Sequence, residues 1–170
     1  MSTISPLLEA VHVTARLSAL LFWFALLLPS VSARAARHAA DLFLGFIVAH
    51  TVHFAVVVSY GLAVPGAAMF PEGGTLDGAG GWPTVAAVFL VFYLPALIGL
   101  AARRAGDGAS TRLRGADRFA TLFLAFMFVA TWVPLISRSA LFVVPTALTI
   151  VAAAVWLAAR VTSIGCLQRT

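Results

Sequence analysis

The 170-residue sequence has no lysine, one cysteine and only six acidic residues, and charged side chains make up 10% of it. An average soluble domain carries about 25% charged and 45–50% apolar residues. Here 62% are hydrophobic and the mean hydropathy is +1.03. A water-soluble fold of this size has too little polar surface to cover so much apolar side chain, which excludes a soluble globular enzyme. The composition also leaves no room for a separate soluble nucleotide or flavin domain, so any such chemistry comes from a partner. The lone Cys166 excludes an internal disulfide and a thiolate cluster, and with them redox chemistry through sulfur. The missing lysine, beside abundant Ala, Gly, Val and Arg, reflects genomic base composition and carries no functional meaning.

What is present is long apolar sequence. Five runs, Leu7 to Val31, Ala39 to Val64, Trp82 to Ala102, Phe119 to Ile136 and Ser139 to Ala159, are each near the ~20 residues that a helix needs to cross a bilayer. Only helices and closed barrels satisfy their backbone polar groups in lipid. The expected fold is therefore all-α, a polytopic helical membrane bundle of five spans forming one domain over residues 1–170. The first run is too long for a signal-peptide core and has no basic segment before it, so it counts as a span. Pro95 and Pro145 are expected to kink the third and fifth spans, and Trp132-Val133-Pro134 reads as an interfacial helix end.

All eleven basic residues are arginine, with a formal charge of +5 and a pI near 11.1. They sit in short segments between apolar runs, where membrane topology and anionic lipid explain them and nucleic-acid binding does not. Arg34 and Arg37 follow the first run, Arg103, Arg104, Arg112, Arg114 and Arg118 separate the third from the fourth, and Arg160 and Arg169 follow the fifth. The positive-inside rule puts these segments in the cytoplasm and predicts an N-out, C-in orientation. Residues 65–81 (PGAAMFPEGGTLDGAGG) and the Ser137-Arg138-Ser139 turn then lie outside. The two acids of the long external loop, Glu72 and Asp77, fall far short of a calcium shell of six to eight oxygens.

Ionisable groups at membrane depth are costly, and they are the natural candidates for function. His50 and His53 (HTVH) lie about half way along the second run, three residues apart and so on one helical face. Imidazole ligates haem and metals at neutral pH; the alternative is a pair of histidines hydrogen-bonded to carbonyls or hydroxyls on neighbouring helices. The two axial ligands of a haem approach the iron from opposite sides, so at most one of the pair serves a given haem. Zinc would need two further ligands, and the third to fifth runs contain no His, Cys or Glu.

Glu9, His12 and Arg16 form a second stripe, on the first run. With a membrane boundary near Leu7, Arg16 lies deep and needs an anionic partner such as a haem propionate. With a boundary near Leu17 it snorkels at the external interface, and His12 stands about 10 Å or more above His53. His38, some 18 Å of helix rise from His50, is either a headgroup-level residue or a ligand for a second haem, with Asp41 facing Arg37 or water. Asp117, before an apolar run, reads as a helix start. Tyr60, Tyr93 and Trp23 read as packing or interface groups.

Arg16-Leu17-Ser18 leading into an apolar helix, the segment Leu44-Gly45-Phe46-Ile47-Val48-Ala49-His50-Thr51-Val52-His53, and a basic loop followed by Phe119 to Arg138 and a closing helix together resemble bacterial ferric-reductase-like transmembrane proteins. That family includes the membrane haem subunit of a methionine-sulfoxide reductase system. The likeness covers most of the chain and is most specific in L-G-x4-H-x2-H. It implies a helical bundle in the bacterial inner (cytoplasmic) membrane that holds haem b through histidines and passes electrons to or from a partner, with His50 as first ligand and His53 as second. In relatives the helix after the basic loop opens with a histidine that helps to hold haem; Asp117 stands there in this chain. His12 or His38 then substitutes, the haem is five-coordinate, or haem has been lost. The other reading is a haem-free accessory subunit of a larger membrane complex. A transporter is disfavoured by the lack of an internal repeat and of paired broken helices.

Overall fold

The computed structural model describes residues 6–67, 75, 76, 78, 80–132, 147, 149–156 and 158. Every regular element among them is helical: α1 (Pro6–Val31), α2 (Ala33–Arg37), α3 (Ala39–Ala63), α4 (Gly81–Ala105) and α5 (Thr111–Trp132), with a 3-10 turn at Gly106–Gly108. Residues 147, 149–156 and 158 are also helical.

The breaks between helices have local causes. After α1, Ser32 turns extended (φ −140°, ψ 118°) and its hydroxyl accepts the Ala35 N–H at 3.3 Å, which starts the single turn of α2. This is ordinary N-capping by serine. α4 runs unbroken through Pro95 and stops at Gly106, whose φ of +52° favours glycine and whose N–H closes on the Ala102 carbonyl. Ser110 caps α5 by accepting the Leu113 N–H at 3.2 Å. The helix therefore starts at Thr111, and Asp117, expected at a helix start, lies in the second turn. The cytoplasmic loop expected over Gly106–Gly115 contracts to residues 106–110.

α1, α3 and α4 are long and apolar enough to cross a membrane. At 1.5 Å per residue each is about 38 Å long, against a hydrocarbon core of about 30 Å. Their bounds match the first three expected spans to within three residues. α5 contains residues 119–132 of the fourth. Its last residues, most of the fifth span, the Ser137–Ser139 turn, Pro145, Glu72, Asp77, Arg160, Cys166 and Arg169 lie outside the described residues.

α1 packs along α3 and α4 packs along α5, with α3 also touching α4. The core is aromatic: Phe22 and Trp23 from α1, Phe43 and Phe46 from α3, Phe92 from α4 and Phe128 from α5. Phe22 stacks on Phe128 at 4.6 Å between centroids, and Phe46 lies 5.0 to 5.8 Å from Phe22, Phe92 and Phe128. Apolar side chains also face outward: Leu20 and Phe24, Val48 and Val52, Leu90 and Leu94, and Leu122 and Phe126 are all exposed. Helices apolar on every side belong in lipid, and these outward faces contact the bilayer.

A charged pair is drawn into the packing at one end. Arg103, near the end of α4, bonds Asp117 of α5 at 2.7 Å and the Gly99 carbonyl at 2.8 Å, and its guanidinium lies 4.1 Å above the Phe43 ring of α3. Thr121 donates a hydroxyl hydrogen bond to the same Asp117 oxygen at 3.2 Å. Three helices thus meet at one cation. The close approach depends on Gly99, where a Cβ would stand 3.0 Å from both the Arg103 guanidinium and the Phe43 ring. The pair is largely enclosed, with side-chain exposures of 12% and 19%, so removing one partner strands the other charge.

Asp117→Asn and Arg103→Gln are each expected to destabilise the detergent-solubilised protein by about 3 kcal/mol, with the double variant losing much less than the sum. Additive losses in denaturation midpoints would show that the two groups are not coupled. Gly99→Val is expected to cost about 1–3 kcal/mol through overpacking against Phe43.

Candidate functional site

His50 and His53 share one face of α3, and that face meets α1. Ser18 Oγ lies 2.8 Å from His50 Nδ1, and Thr14 Oγ1 lies 3.0 Å from His53 Nδ1. The two contacts run in opposite chain directions, as antiparallel helices require, and they fix the register of α1 against α3. A third link follows one residue along, where the Tyr93 hydroxyl of α4 donates to Thr51 Oγ1 at 2.6 Å. Ser18, His50, Thr51 and Tyr93 all stand within a residue of the midpoints of their helices. The structure therefore gathers these neutral polar groups at half height, where water is least available, with Arg16 of α1 at the same level.

The hydroxyls determine which imidazole nitrogen carries hydrogen. Thr14 has one hydroxyl proton, directed at the Ala10 carbonyl at 2.7 Å with Val11 O at 3.2 Å. Thr14 must therefore accept from His53 Nδ1–H, which leaves the lone pair of the neutral ring on Nε2. This is the arrangement in which a histidine ligates a metal: one nitrogen donates to a fixed acceptor and orients the other. Ser18 makes no such bond to its own helix, so His50 accommodates either neutral tautomer. The His50 ring also stacks on Phe92 at 3.7 Å between centroids and meets Phe128 edge-on at 5.9 Å. His50 is thus wedged into aromatic packing, while His53, 5.7 Å from it between centroids, is free of the Phe92 stack. His53 is thus the less encumbered of the two rings, whereas the sequence resemblance implies His50 as first ligand.

The other candidates are not brought to this site. Glu9, His12 and Arg16 do share a flank of α1, but at 100° per residue that flank is turned by about 120° or more from Thr14 and Ser18. The register also sets their depth. Arg16 is level with residues 51–52 of α3, so about 17 Å of apolar helix extends beyond it to Ala63. His12 lies only about 3 Å of rise from the level of Thr14 and His53, not the 10 Å expected from a boundary near Leu17. Facing rather than height separates it from His53. Arg16 Nε is enclosed with no hydrogen-bond partner.

His38 is exposed at the α2–α3 junction, with Nδ1 3.5 Å from Asp41 Oδ2. Asp41 is exposed, so of the two expected surroundings, Arg37 or water, it faces water. Asp117 is engaged by Arg103 and Thr121, which gives it an ionic role between helices in place of the helix-start role expected of it. No group of three or more His, Cys, Asp or Glu suited to a metal ion occurs among the described residues.

Thr14, Phe92, Phe128 and the Arg103 link were not anticipated from the sequence. The readable signal for the first was the pair Thr14 and Ser18, two hydroxyls four apart inside an apolar run, matching two histidines three apart in another. Phe92 and Phe128 carried no such signal, because they are two of thirteen phenylalanines.

Compared with protein-family models, curated proteins and solved structures, the chain matches none of them.

Proposed function

We propose that this chain is a b-type haem-binding protein of the bacterial inner membrane that relays electrons within or across the bilayer to or from a partner, on the pattern of the ferric-reductase-like proteins it resembles. The observation that carries this reading is the tie between Thr14 and His53, which leaves an oriented Nε2 lone pair at half height in an apolar bundle. The arginine end faces the cytoplasm by the positive-inside rule, giving N-out, and the segments beyond α4 complete five spans.

The donor set fits one protein bond per iron. His50 and His53 project from the same side of one helix and cannot flank one iron, His12 faces elsewhere, and His38 stands about 18 Å along α3 from His50. His53 is the first ligand in this reading and His50 the second candidate. A bound haem supplies one-electron redox chemistry, with a potential set by ligand, hydrogen bonding and burial. Thr14 holds the His53 ring in its ligating tautomer. Phe92 and Phe128 keep water from the neighbouring His50.

A second reading has its own support. Both histidines have hydroxyl partners on α1 and His50 is stacked on Phe92, as in a haem-free subunit whose interhelical hydrogen bonds each contribute about 0.6–2 kcal/mol. Such a subunit would pack against a larger membrane complex.

Protein purified after haem-replete expression is expected to show a Soret band. His53→Ala is expected to lower bound haem more than tenfold by pyridine haemochrome assay, and Thr14→Val, which keeps shape and loses the acceptor, to lower haem affinity roughly tenfold. The absence of a Soret band sinks the haem reading. Haem retained by the His50→Ala, His53→Ala double variant sinks the ligand assignment alone. A native mass showing a stable haem-free monomer argues against both the haem protein and the obligate subunit.

A further inference from the structure

The Phe43 contact with Gly99 and Arg103 puts the start of α3 and the end of α4 at the same end of the bundle. That end exposes six arginines: Arg34 and Arg37 on α2, Arg104 closing α4, and Arg112, Arg114 and Arg118 on the first turns of α5. Only Asp41 and Asp107 are exposed acids there, since Asp117 is taken by Arg103. At the opposite end Glu9 is the one exposed charge among the described residues.

Height identifies what these guanidiniums meet. The apolar sequence of α4 ends at Ala102 and that of α5 begins at Phe119, which puts the Arg103–Asp117 pair at the edge of the apolar layer. Arg104 and Arg118 adjoin it, and Arg114 and Arg112 stand about 5 and 8 Å further out along α5. The headgroup region on each side of a bilayer is itself about 5–8 Å deep. Connections at this end are short, a single turn in α2 and residues 106–110 between α4 and α5, so the arginines stay close to the ends of the long helices. Guanidinium forks match phosphate oxygens bidentately.

We propose that the arginine end is a binding surface for anionic phospholipid headgroups of its own leaflet, a role independent of whether the bundle holds haem. The test is native mass spectrometry of the full chain released from mixed phosphatidylcholine and phosphatidylglycerol nanodiscs. Wild-type protein is expected to retain phosphatidylglycerol well above its share of the mixture. Each of Arg112→Gln, Arg114→Gln and Arg118→Gln is expected to weaken that retention roughly fivefold, while Glu9→Gln at the other end leaves it unchanged. Should the triple variant lose helix content by circular dichroism, raising salt on the wild type provides the same test, because exposed charge contacts are screened. Retention of the two lipids in proportion to their abundance overturns the proposal and leaves the arginines to an acidic protein surface. So does phosphatidylglycerol retention that neither salt nor the folded triple variant reduces.

Discussion

The antiparallel pairing of Ser18 and Thr14 with His50 and His53 governs how this bundle is assembled. In an apolar layer no water is available to satisfy an imidazole, so each ring must find its partner on another helix. Two such contacts a turn apart leave one register for α1 against α3, because a shift of a single residue breaks both. That register sets the height of everything else on α1. It sinks Arg16 far below the end of α3, and it brings Phe22 level with Phe46 and Phe128, where the aromatic core forms.

The bundle divides its polar interactions by depth. At half height the links are neutral: Ser18 with His50, Thr14 with His53, Tyr93 with Thr51. At the arginine end the link is ionic, with Arg103 serving Asp117, Gly99 and Phe43 at once. This follows from the cost of the groups. A buried ion pair carries a desolvation penalty that grows with distance from water, whereas a hydroxyl–imidazole bond carries little; Arg16, enclosed at the level of residues 51–52, is the exception to this division. α1 and α3 are thus keyed by neutral bonds, α4 and α5 by a charge, and phenylalanines fill the space between.

Much of this organisation is legible in the sequence, for identifiable reasons. Three spans were readable to within three residues because apolar length alone determines them, and the histidine pair stood out because so few polar residues interrupt those runs. Asp117 reads as a helix start because an acid before an apolar run usually is one; Ser110 takes the cap instead, seven residues earlier. The pairing of Asp117 with Arg103 depends on how α4 and α5 cross at Gly99, which periodicity does not encode. The depth of Arg16 was undecidable from its own helix, since Glu9, His12 and Arg16 suit either boundary. Only the contact of Thr14 with a residue 39 positions away resolves it.

The same contact bears on why two histidines occupy this depth at all. A hydroxyl partner satisfies one ring nitrogen and leaves the other, and at His53 the remaining Nε2 has no hydrogen-bond partner among the described residues. Serine or threonine would key α1 to α3 without that remaining nitrogen. His50 in addition stacks on Phe92, which His53 does not. The asymmetry between the two rings is what supports His53, rather than His50, in the proposed ligand role.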